Sequence, residues 1–142
     1  MRSGFDDALL LNADIHIAEA SIANTFLVRN EVVTTPPVTE NILEGITRRS
    51  VLTFLRNELK LDVEERPIDR SEIYIADEAF LCGTATEIAA IKRVDFRTIG
   101  SGKVGPVTAS LQTLMGKIFR GQVSKYQDWC APVYSVTAAE DR

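Results

Sequence analysis

The run Glu44-Gly45-Ile46-Thr47 places a glycine and a threonine where helical spacing begins in the sequence. The first amides of a helix have no acceptor within that helix, and the helix dipole favours an anion beside them. A threonine hydroxyl can add one more donor. The run therefore predicts a site for an anion such as phosphate, with an ordinary solvated helix end as the alternative.

A second candidate site is Cys82-Gly83-Thr84-Ala85-Thr86, a run of small residues between two apolar stretches. Glycine lets a backbone approach a ligand closely, and threonine hydroxyls can donate to an anion. A β-bulge or a hairpin corner uses the same residue types and is the alternative interpretation.

A third candidate is Glu19, a carboxylate flanked by Ala18, Ala20 and Ser21 at the end of a strand-like stretch. A lone glutamate is usually a solvated charge. Only a specific partner would give Glu19 a chemical role.

Neither a metal site nor a disulfide is predicted. His16 is the only histidine, and its neighbours Ile15 and Ile17 indicate the polar face of a strand; one histidine cannot form a histidine-rich metal site. Cys82 and Cys130 belong to no Cys-x-x-Cys pattern, so we expect two reduced thiols.

The 142 residues suit one domain with an ordinary core, since 45% of them are hydrophobic. The net charge of −4, with both signs interspersed, argues against nucleic acid or an anionic membrane as a partner. The longest apolar runs fall far short of the roughly 20 residues that span a bilayer, and the start of the chain lacks an export signal. We therefore expect a cytoplasmic protein.

Short alternating runs between turn residues predict strands in the first third of the chain and again from residue 63. The predicted strands cover residues 6–11, 15–18, 24–29, 32–35, 63–67, 79–81, 87–90 and 91–94. Asn30-Glu31 is predicted to form a tight turn. Pro36-Pro37 ends the first group of strands, because proline donates no hydrogen bond to a ladder.

Two stretches have the apolar spacing of a helix. The apolar positions of the first are Leu43, Ile46, Val51, Leu55 and Leu59. Arg48 falls between them, which predicts an amphipathic helix of about four turns with the arginine on its polar face. The second helix is predicted to start at Pro106 and to stop before Gly121, and Asp69 is predicted to cap a short helical segment that reaches Ile75.

Taken in order, these stretches resemble class IV aminotransferases of the branched-chain group. The most specific part of the resemblance is Thr35-Pro36-Pro37-Val38 followed by Ile42-Leu43-Glu44-Gly45-Ile46-Thr47-Arg48. Other similar runs are residues 5–12, 24–29, 76–80, 83–87, 99–100, 105–108 and 126–129. The likeness covers nearly everything from Gly4 to Val133.

The resemblance implies an α+β fold, the C-terminal domain of the D-amino acid aminotransferase-like fold, with a mixed sheet or pseudo-barrel and two main helices. We assign residues 1–133 to this domain and residues 134–142 to a tail. The family's enzymes use pyridoxal 5′-phosphate to transaminate branched-chain amino acids and 2-oxoglutarate.

The resemblance also implies roles for the three candidate sites. The cofactor-binding residues would be Glu19 at the pyridine nitrogen, and Ile46, Thr47 and Thr84 at the phosphate. A carboxylate at the pyridine nitrogen keeps that nitrogen protonated. The turn Gly83-Thr84-Ala85 would present backbone amides to the carboxylate of the substrate.

No catalytic residue is assigned in this chain. In the family, the lysine that bonds covalently to the cofactor precedes the segment that resembles Gly4-Phe5, which here follows Met1-Arg2-Ser3 directly. The lysines of this chain lie in segments that resemble other parts of the family; they are Lys60, Lys92, Lys103, Lys117 and Lys125. The family's preceding domain has no counterpart either, so we expect no transamination by this chain alone.

The chain departs from the family's pattern near Glu19. The family usually has glutamate, glycine, serine, glycine, glutamate and asparagine, where this chain has Glu19-Ala20-Ser21-Ile22-Ala23-Asn24. Ile22 is expected to resist the backbone angles that a glycine there would take. Phe96 stands where a glycine turn is common.

Three functional hypotheses remain open. The first is the C-terminal half of a branched-chain aminotransferase, and the second is a non-catalytic oligomerisation or small-anion-binding module derived from that fold. The third is a half-enzyme that regains activity when a separate domain supplies the lysine. An isolated half would expose apolar surface, so we expect a homo-oligomer.

Overall fold

The computed structural model describes residues 4–131 of the chain. They form a seven-stranded mixed sheet, a separate two-stranded hairpin, two α-helices and three short 3₁₀ helices. The strands are β1 (Leu9–Leu11), β2 (Ile17–Ala20), β3 (Asn24–Arg29), β4 (Val32–Thr35), β5 (Asp62–Glu65), β6 (Glu78–Gly83), β7 (Glu87–Ala90), β8 (Arg93–Val94) and β9 (Arg97–Thr98). The helices are α1 (Ile46–Asn57) and α2 (Pro106–Phe119), and the 3₁₀ helices are Val38–Glu40, Arg70–Ile75 and Ser124–Trp129.

The predicted α+β class with a mixed sheet and two main helices is confirmed, and the sheet is not a closed barrel. The chain forms two compact units, Met1–Gln112 and Thr113–Arg142, and the first contains the whole sheet. The predicted tail at residues 134–142, with its boundary after residue 133, lies outside the described residues.

Strand β3 is central, with antiparallel pairing to β2, β4 and β6. Strand β7 pairs with β6, and β1 pairs with β2, so β1 lies at an edge. Strands β4 and β5 are parallel and are joined through α1. Residues 36–45, which include the 3₁₀ helix Val38–Glu40, lead from β4 into α1. Arg48 in the first turn of α1 donates to the carbonyl of Pro36, so the N-terminus of α1 lies near the carboxyl end of β4.

Two hairpins turn through residues with left-handed backbone angles. Asn30 and Glu31, with φ of 49° and 65°, join β3 to β4 and confirm the predicted turn. Asp95 and Phe96, with φ of 49° and 64°, join β8 to β9. Two left-handed central residues match the twist of the flanking strands, and this explains why glycine suits the position of Phe96. The predicted strand at residues 91–94 is only β8, and β9 was not predicted.

The core of the first unit lies between the strands and the segment around residues 68–76. Ile17, Leu27, Ile68 and Ile73 form its buried centre, together with smaller residues. Elsewhere in the sheet, the rings of Phe26 and Phe80, on adjacent strands, stack with centroids 4.9 Å apart. Neighbouring strands are thus tied by side chains as well as by backbone bonds.

The prediction for α1 was partly wrong. The helix begins at Ile46 rather than near Leu43, and both residues are 74% exposed. Val51 and Leu55 are buried as expected, but Arg48 is also buried, at 2% exposure. The apolar spacing was extended too far towards the N-terminus, because Gly45 has extended backbone angles that end the helix.

Other predicted elements are close to those observed. Strands 24–29, 32–35 and 87–90 and the start of α2 at Pro106 are confirmed to the residue. Asp69 caps the following 3₁₀ helix by accepting from the backbone of Ser71 at 2.8 Å, and Gly121 follows α2 with φ of 65°. His16 lies just before β2, where it forms an isolated antiparallel bridge with Asp69, and its Nδ1 is 3.0 Å from Glu40 Oε2.

Candidate functional site

All three predicted sites lie at one end of the sheet. Glu19 in β2 and Cys82 in β6 both pair with Asn24, the first residue of β3. Strand β4, which is also antiparallel to β3, ends at Thr35 beside the same part of β3. The carboxyl ends of β2, β4 and β6 therefore lie together, and the segments that follow them form one end of the sheet.

The N-terminus of α1 is open to an anion. Gly45 is its N-cap residue, no side chain caps it, and the first turn contains no acidic residue. The first backbone bond of the helix runs from Arg49 N to Gly45 O at 3.1 Å, so the preceding helical amides have no acceptor within α1. Ile46 is exposed and Thr47 is half-buried. An anion could reach these amides and the Thr47 hydroxyl from solvent.

The N-terminus of α2 has the same backbone geometry and is already filled. The carboxylate of Glu78, which is 8% exposed, accepts from the amides of Val107 and Thr108 at 3.0 Å each and from the Thr108 hydroxyl at 2.8 Å. A Cβ on Gly105 would collide with this carboxylate. Of the two α-helices in the described part of the chain, only α1 thus has an N-terminus without a side-chain anion.

Glu19 is bound to the segment that leads into α1. Its Oε2 accepts from the backbone amide of Leu43 at 3.1 Å and from Asn24 Nδ2 at 3.1 Å. Asn24 Nδ2 also donates to the carbonyl of Leu43 at 2.9 Å. The carboxylate is half-buried, and none of the residues 4–131 donates to its Oε1. Glu19 thus has one carboxylate oxygen held by the protein, and its role at a ligand stays a prediction.

Asn24 is a residue of the site that the sequence did not reveal as one. It is 5% exposed and is the first residue of an otherwise mostly apolar strand. A Cβ on Gly45 would collide with its Oδ1, so the helix start approaches β3 as closely as glycine allows. The sequence shows an asparagine at the head of a mostly apolar run, but it shows neither the burial of that residue nor its partners.

The turn Gly83-Thr84-Ala85 lies beside the turn that follows Glu19. A Cβ on Gly83 would be 3.0 Å from the carbonyl oxygen of Ile22, while Thr84 and Ala85 are exposed. Within residues 4–131, no hydrogen bond joins Thr84 to Glu19, Ile46 or Thr47. The structure thus brings the three predicted sites to one end of the sheet without linking Thr84 directly to the other two.

Ile22, the departure expected to disturb this turn, is accommodated at the surface. It is 72% exposed and does not adopt a left-handed φ. The expectation that a β-branched residue there would meet unfavourable backbone angles is therefore wrong. Its neighbours Ala20 and Ala23 are buried and pack with Leu81.

An ion pair between the buried Arg48 and the more exposed Glu65 fixes the first turn of α1. Arg48 Nη2 donates to the carbonyl of Pro36 at 2.9 Å and to Glu65 Oε2 at 2.8 Å, and Arg56 donates to the other oxygen of Glu65 at 3.0 Å. The hydrogen bond from Arg48 holds the pKa of the Glu65 carboxyl below its usual value, although partial burial opposes this. The helix start is thereby tied to the ends of β4 and β5.

Within the described residues, the remaining reactive groups form no second centre. Burial raises the pKa of the Cys82 thiol to about 12, so this cysteine stays protonated at neutral pH. Among residues 4–131 there is no cluster of histidine, cysteine and carboxylate side chains that could hold a metal ion. No helix in that range is both long enough and apolar enough to cross a bilayer.

Residues 1–94 match the family model for amino-transferase class IV. The chain belongs to this family. A probable branched-chain-amino-acid aminotransferase from Aquifex aeolicus is 48% identical over 134 residues, which make up 94% of this chain and 43% of that protein. The branched-chain-amino-acid aminotransferase of Pseudomonas aeruginosa is 42% identical over 126 residues, 89% of this chain and 40% of that protein.

Solved structures of class IV aminotransferases agree with this fold. The branched-chain enzyme from Thermobaculum terrenum in its PLP form matches with a TM-score of 0.91 and 41% identity, over 94% of this chain and 43% of that one. The branched-chain aminotransferase from Thermoproteus uzoniensis with norvaline gives a TM-score of 0.89 at 41% identity. The chain thus spans somewhat under half the length of these relatives, as a C-terminal part of such an aminotransferase would.

Proposed function

We propose that this chain is the C-terminal, cofactor-cradling part of a branched-chain-type aminotransferase. The observation that carries the proposal is the N-terminus of α1, which no side chain caps and which is bonded through Leu43 to the carboxylate of Glu19. An anion site and a carboxylate held at a fixed separation suit a ligand with a phosphate at one end and a basic ring nitrogen at the other.

The phosphate end of pyridoxal 5′-phosphate fits the first turn of α1. The amides of Ile46 and Thr47 and the Thr47 hydroxyl would donate to the phosphate oxygens, and the helix dipole would favour the negative charge. The exposed hydroxyl of Thr84 would add a donor from the neighbouring turn. The contrast with α2 supports the assignment, because Glu78 already satisfies that helix end.

The ring end fits Glu19. Its Oε2 is occupied by two donors from the protein, which leaves Oε1 to accept from a protonated pyridine nitrogen. When bound, the cofactor withdraws electrons from the α-carbon of an amino acid, and a protonated ring nitrogen assists this. The exposed turn Gly83-Thr84-Ala85 would offer amides to the carboxylate of a branched-chain amino acid or of 2-oxoglutarate.

We also propose that this chain does not transaminate alone. Lys60 follows the far end of α1, about 18 Å from its N-terminus at a rise of about 1.5 Å per residue. Lys92 follows the end of β7 that is remote from the turn at Thr84, and Lys103 precedes Gly105, which contacts Glu78 at the far end of β6. None of these three lysines lies at the end of the sheet that carries Glu19, Thr84 and the N-terminus of α1, which we call the cradle.

Self-association in the cytoplasm completes the proposal. Leu10, Leu11, Ile15 and Val38 are between 40% and 61% exposed. Three of them lie on edge strand β1 or in the turn after it, and Val38 lies in the 3₁₀ helix whose Glu40 contacts His16. Exposed apolar side chains along an unpaired edge favour contact with a second copy.

Threonine variants test the phosphate end. Pyridoxamine 5′-phosphate is a suitable probe because it lacks the aldehyde that would react with surface lysines. Thr47→Val and Thr84→Val should each lower its affinity about tenfold, since a hydrogen bond to a charged group contributes roughly 1.5–3 kcal/mol. Thr53→Val is the matched control, because the Thr53 hydroxyl donates to Arg49 O farther along α1.

The affinities are measured by titration, followed through the fluorescence of pyridoxamine 5′-phosphate. They distinguish a cofactor cradle from a small-anion-binding module. Binding that both threonine variants weaken and Thr53→Val does not supports a cofactor cradle. Equal affinity for pyridoxamine 5′-phosphate and inorganic phosphate would favour a small-anion-binding module instead. Transamination by the purified chain with leucine and 2-oxoglutarate would contradict the proposed inactivity.

A further inference from the structure

We infer that Asn24 is a positioning residue that couples the two ends of the cradle, orienting Glu19 and holding the backbone from which α1 starts. The inference rests on the proposed function, since it concerns how that site is built. It follows from one closed set of hydrogen bonds and one close backbone approach.

The hydrogen bonds link three groups in a ring. Asn24 Nδ2 donates to Glu19 Oε2 at 3.1 Å and to the carbonyl of Leu43 at 2.9 Å, and the amide of Leu43 donates to the same Glu19 oxygen at 3.1 Å. Both amide hydrogens of Asn24 are therefore used, and the backbone of Leu43 is held through its donor and its acceptor. Any movement of one member strains bonds to the other two.

The close approach is at the N-cap of α1. The Oδ1 atom of Asn24 lies too close to Gly45 for a Cβ to fit there, so the amide group is in contact with the residue that precedes the first turn of the helix. One planar side chain thus touches both Glu19, at the ring end, and Gly45, at the phosphate end. The separation between the two ends depends on its orientation.

The base of this side chain is rigid. The backbone of Asn24 pairs with Glu19 on one side and with Cys82 on the other, and the residue is 5% exposed. A side chain whose backbone is paired with a strand on each side can set the geometry of looser segments, such as the loop at residues 36–45. This is the arrangement that precise ligand positioning requires.

The ring of hydrogen bonds among Asn24, Glu19 and Leu43 requires an amide side chain at position 24. An aspartate would replace two donors with acceptors that face the Glu19 carboxylate and the Leu43 carbonyl, and both contacts would become repulsive. A serine would be neutral but too short to bridge both acceptors. Asn24→Asp and Asn24→Ser therefore remove the coupling in two different ways.

The test measures binding of pyridoxamine 5′-phosphate and, separately, of inorganic phosphate. Both affinities are measured for the 142-residue chain, for Asn24→Asp, Asn24→Ser and Glu19→Gln, and for the control Asn57→Ser at the exposed far end of α1. We expect Asn24→Asp to lower the affinity for pyridoxamine 5′-phosphate about tenfold or more and the affinity for phosphate less, with Asn57→Ser unchanged.

The emission maximum of bound pyridoxamine 5′-phosphate reports the state of its ring nitrogen and so separates positioning from simple stabilisation. We expect both Asn24 variants to shift it in the same direction as Glu19→Gln. The affinity ratio is the affinity for pyridoxamine 5′-phosphate divided by that for inorganic phosphate. In a variant that combines Asn24→Ser with Glu19→Gln, this ratio should differ little from that of Glu19→Gln alone, because Asn24 acts through the same carboxylate. An unchanged ratio and an unchanged emission maximum in folded Asn24 variants would overturn the inference.

Hydrogen exchange at the Leu43 amide tests the ring of hydrogen bonds without any ligand. We expect this amide to be protected in the native chain and to exchange at least tenfold faster in Asn24→Ser, while the amides of β3 and β6 keep their protection. Slow exchange at Leu43 in this variant would refute the inference even if the cofactor binds. Failure of the native chain to bind pyridoxamine 5′-phosphate would refute the proposed function instead, and the Leu43 exchange rate would still decide the role of Asn24.

Discussion

At the scale of single residues, Gly45 is the tightest point of the cradle. It is the N-cap of α1, and any side chain on it would collide with Asn24 Oδ1. Two residues before Gly45, the backbone amide of Leu43 donates to Glu19, so the segment that starts the helix is tied to this carboxylate. The absence of a side chain is thus a geometric requirement of the site, beyond the conformational freedom of glycine.

Substitution of Gly45 by alanine should therefore impair the site. The new methyl group must displace Asn24 or the helix start, so Gly45→Ala should reduce affinity for pyridoxamine 5′-phosphate and lower the midpoint of urea unfolding. Gly116→Ala in α2 is the matched control, because its new methyl would meet only the flexible end of Arg120, at 3.1 Å, and alanine favours a helix. Equal effects of the two substitutions would contradict this account.

Residue types alone allowed part of the candidate site to be proposed. Thr47, Ile46 and Glu19 could be proposed because a helix start and a lone carboxylate have recognisable local chemistry. The role of Asn24 could not be predicted, since it depends on a pairing between β2 and β3 and on a loop 19 residues away in the sequence. Long-range juxtaposition leaves no local pattern.

At the scale of secondary structure, an ion pair positions α1 together with the apolar face of the helix. Arg48 was predicted on the polar face, yet it is buried and bonds to Pro36 O and Glu65. Periodicity could not separate a solvated arginine from one that meets partners at the ends of β4 and β5. These bonds hold the end of the helix that faces the proposed phosphate site.

Glu65 should make stability depend on pH. Its folded pKa lies below the ordinary value of 4.5, chiefly because Arg48 donates to it. The ionised carboxylate therefore stabilises the folded chain above about pH 4.5, and this contribution is lost as the pH falls through the lower folded pKa. Glu65→Gln should lower the urea midpoint at pH 7 and flatten its decline between roughly pH 5 and pH 3.

The matched control is Asp62→Asn, on the same strand. Asp62 is exposed and makes no side-chain bond to any residue between 4 and 131. Its substitution should leave the midpoint and its pH dependence nearly unchanged. If the urea midpoint declines as steeply at acid pH in Glu65→Gln as in the native chain, the ion pair with Arg48 does not contribute to the pH dependence of stability.

Strand prediction succeeded where turn chemistry was explicit. Strands β3 and β4 were correct because Asn30-Glu31 and Pro36-Pro37 mark their ends. Strand β9 was missed because its hairpin turns through Asp95 and Phe96, and a left-handed phenylalanine carries no turn signal. The helix start was misplaced because the spacing of Leu43 matched the helix by coincidence.

At the scale of the whole molecule, the chain belongs to the class IV aminotransferases and matches about 43% of the length of its relatives. Its fold is shared with them at TM-scores near 0.9. The cradle residues all lie in the first compact unit, Met1–Gln112.

The exposed apolar residues on and beside β1 should drive self-association. We expect sedimentation velocity to give a mass above the 15.7 kDa of one chain, and the combined substitution Leu10→Thr and Ile15→Thr to lower it. Val104→Thr, at a residue 42% exposed elsewhere in the same unit, should leave the mass unchanged. A native chain that sediments as a monomer at all concentrations would contradict the proposed oligomer.

The central claim is that the N-terminus of α1 holds the phosphate of the cofactor. The most direct measurement is a titration of the ¹⁵N-labelled chain with pyridoxamine 5′-phosphate, followed through its backbone amide resonances. We expect the amides of Ile46, Thr47 and Thr84 to shift together and to saturate, while those of Val107 and Thr108, already bonded to Glu78, stay in place. Saturating shifts at α2 without shifts at Ile46 and Thr47, or no shifts at all, would contradict the account.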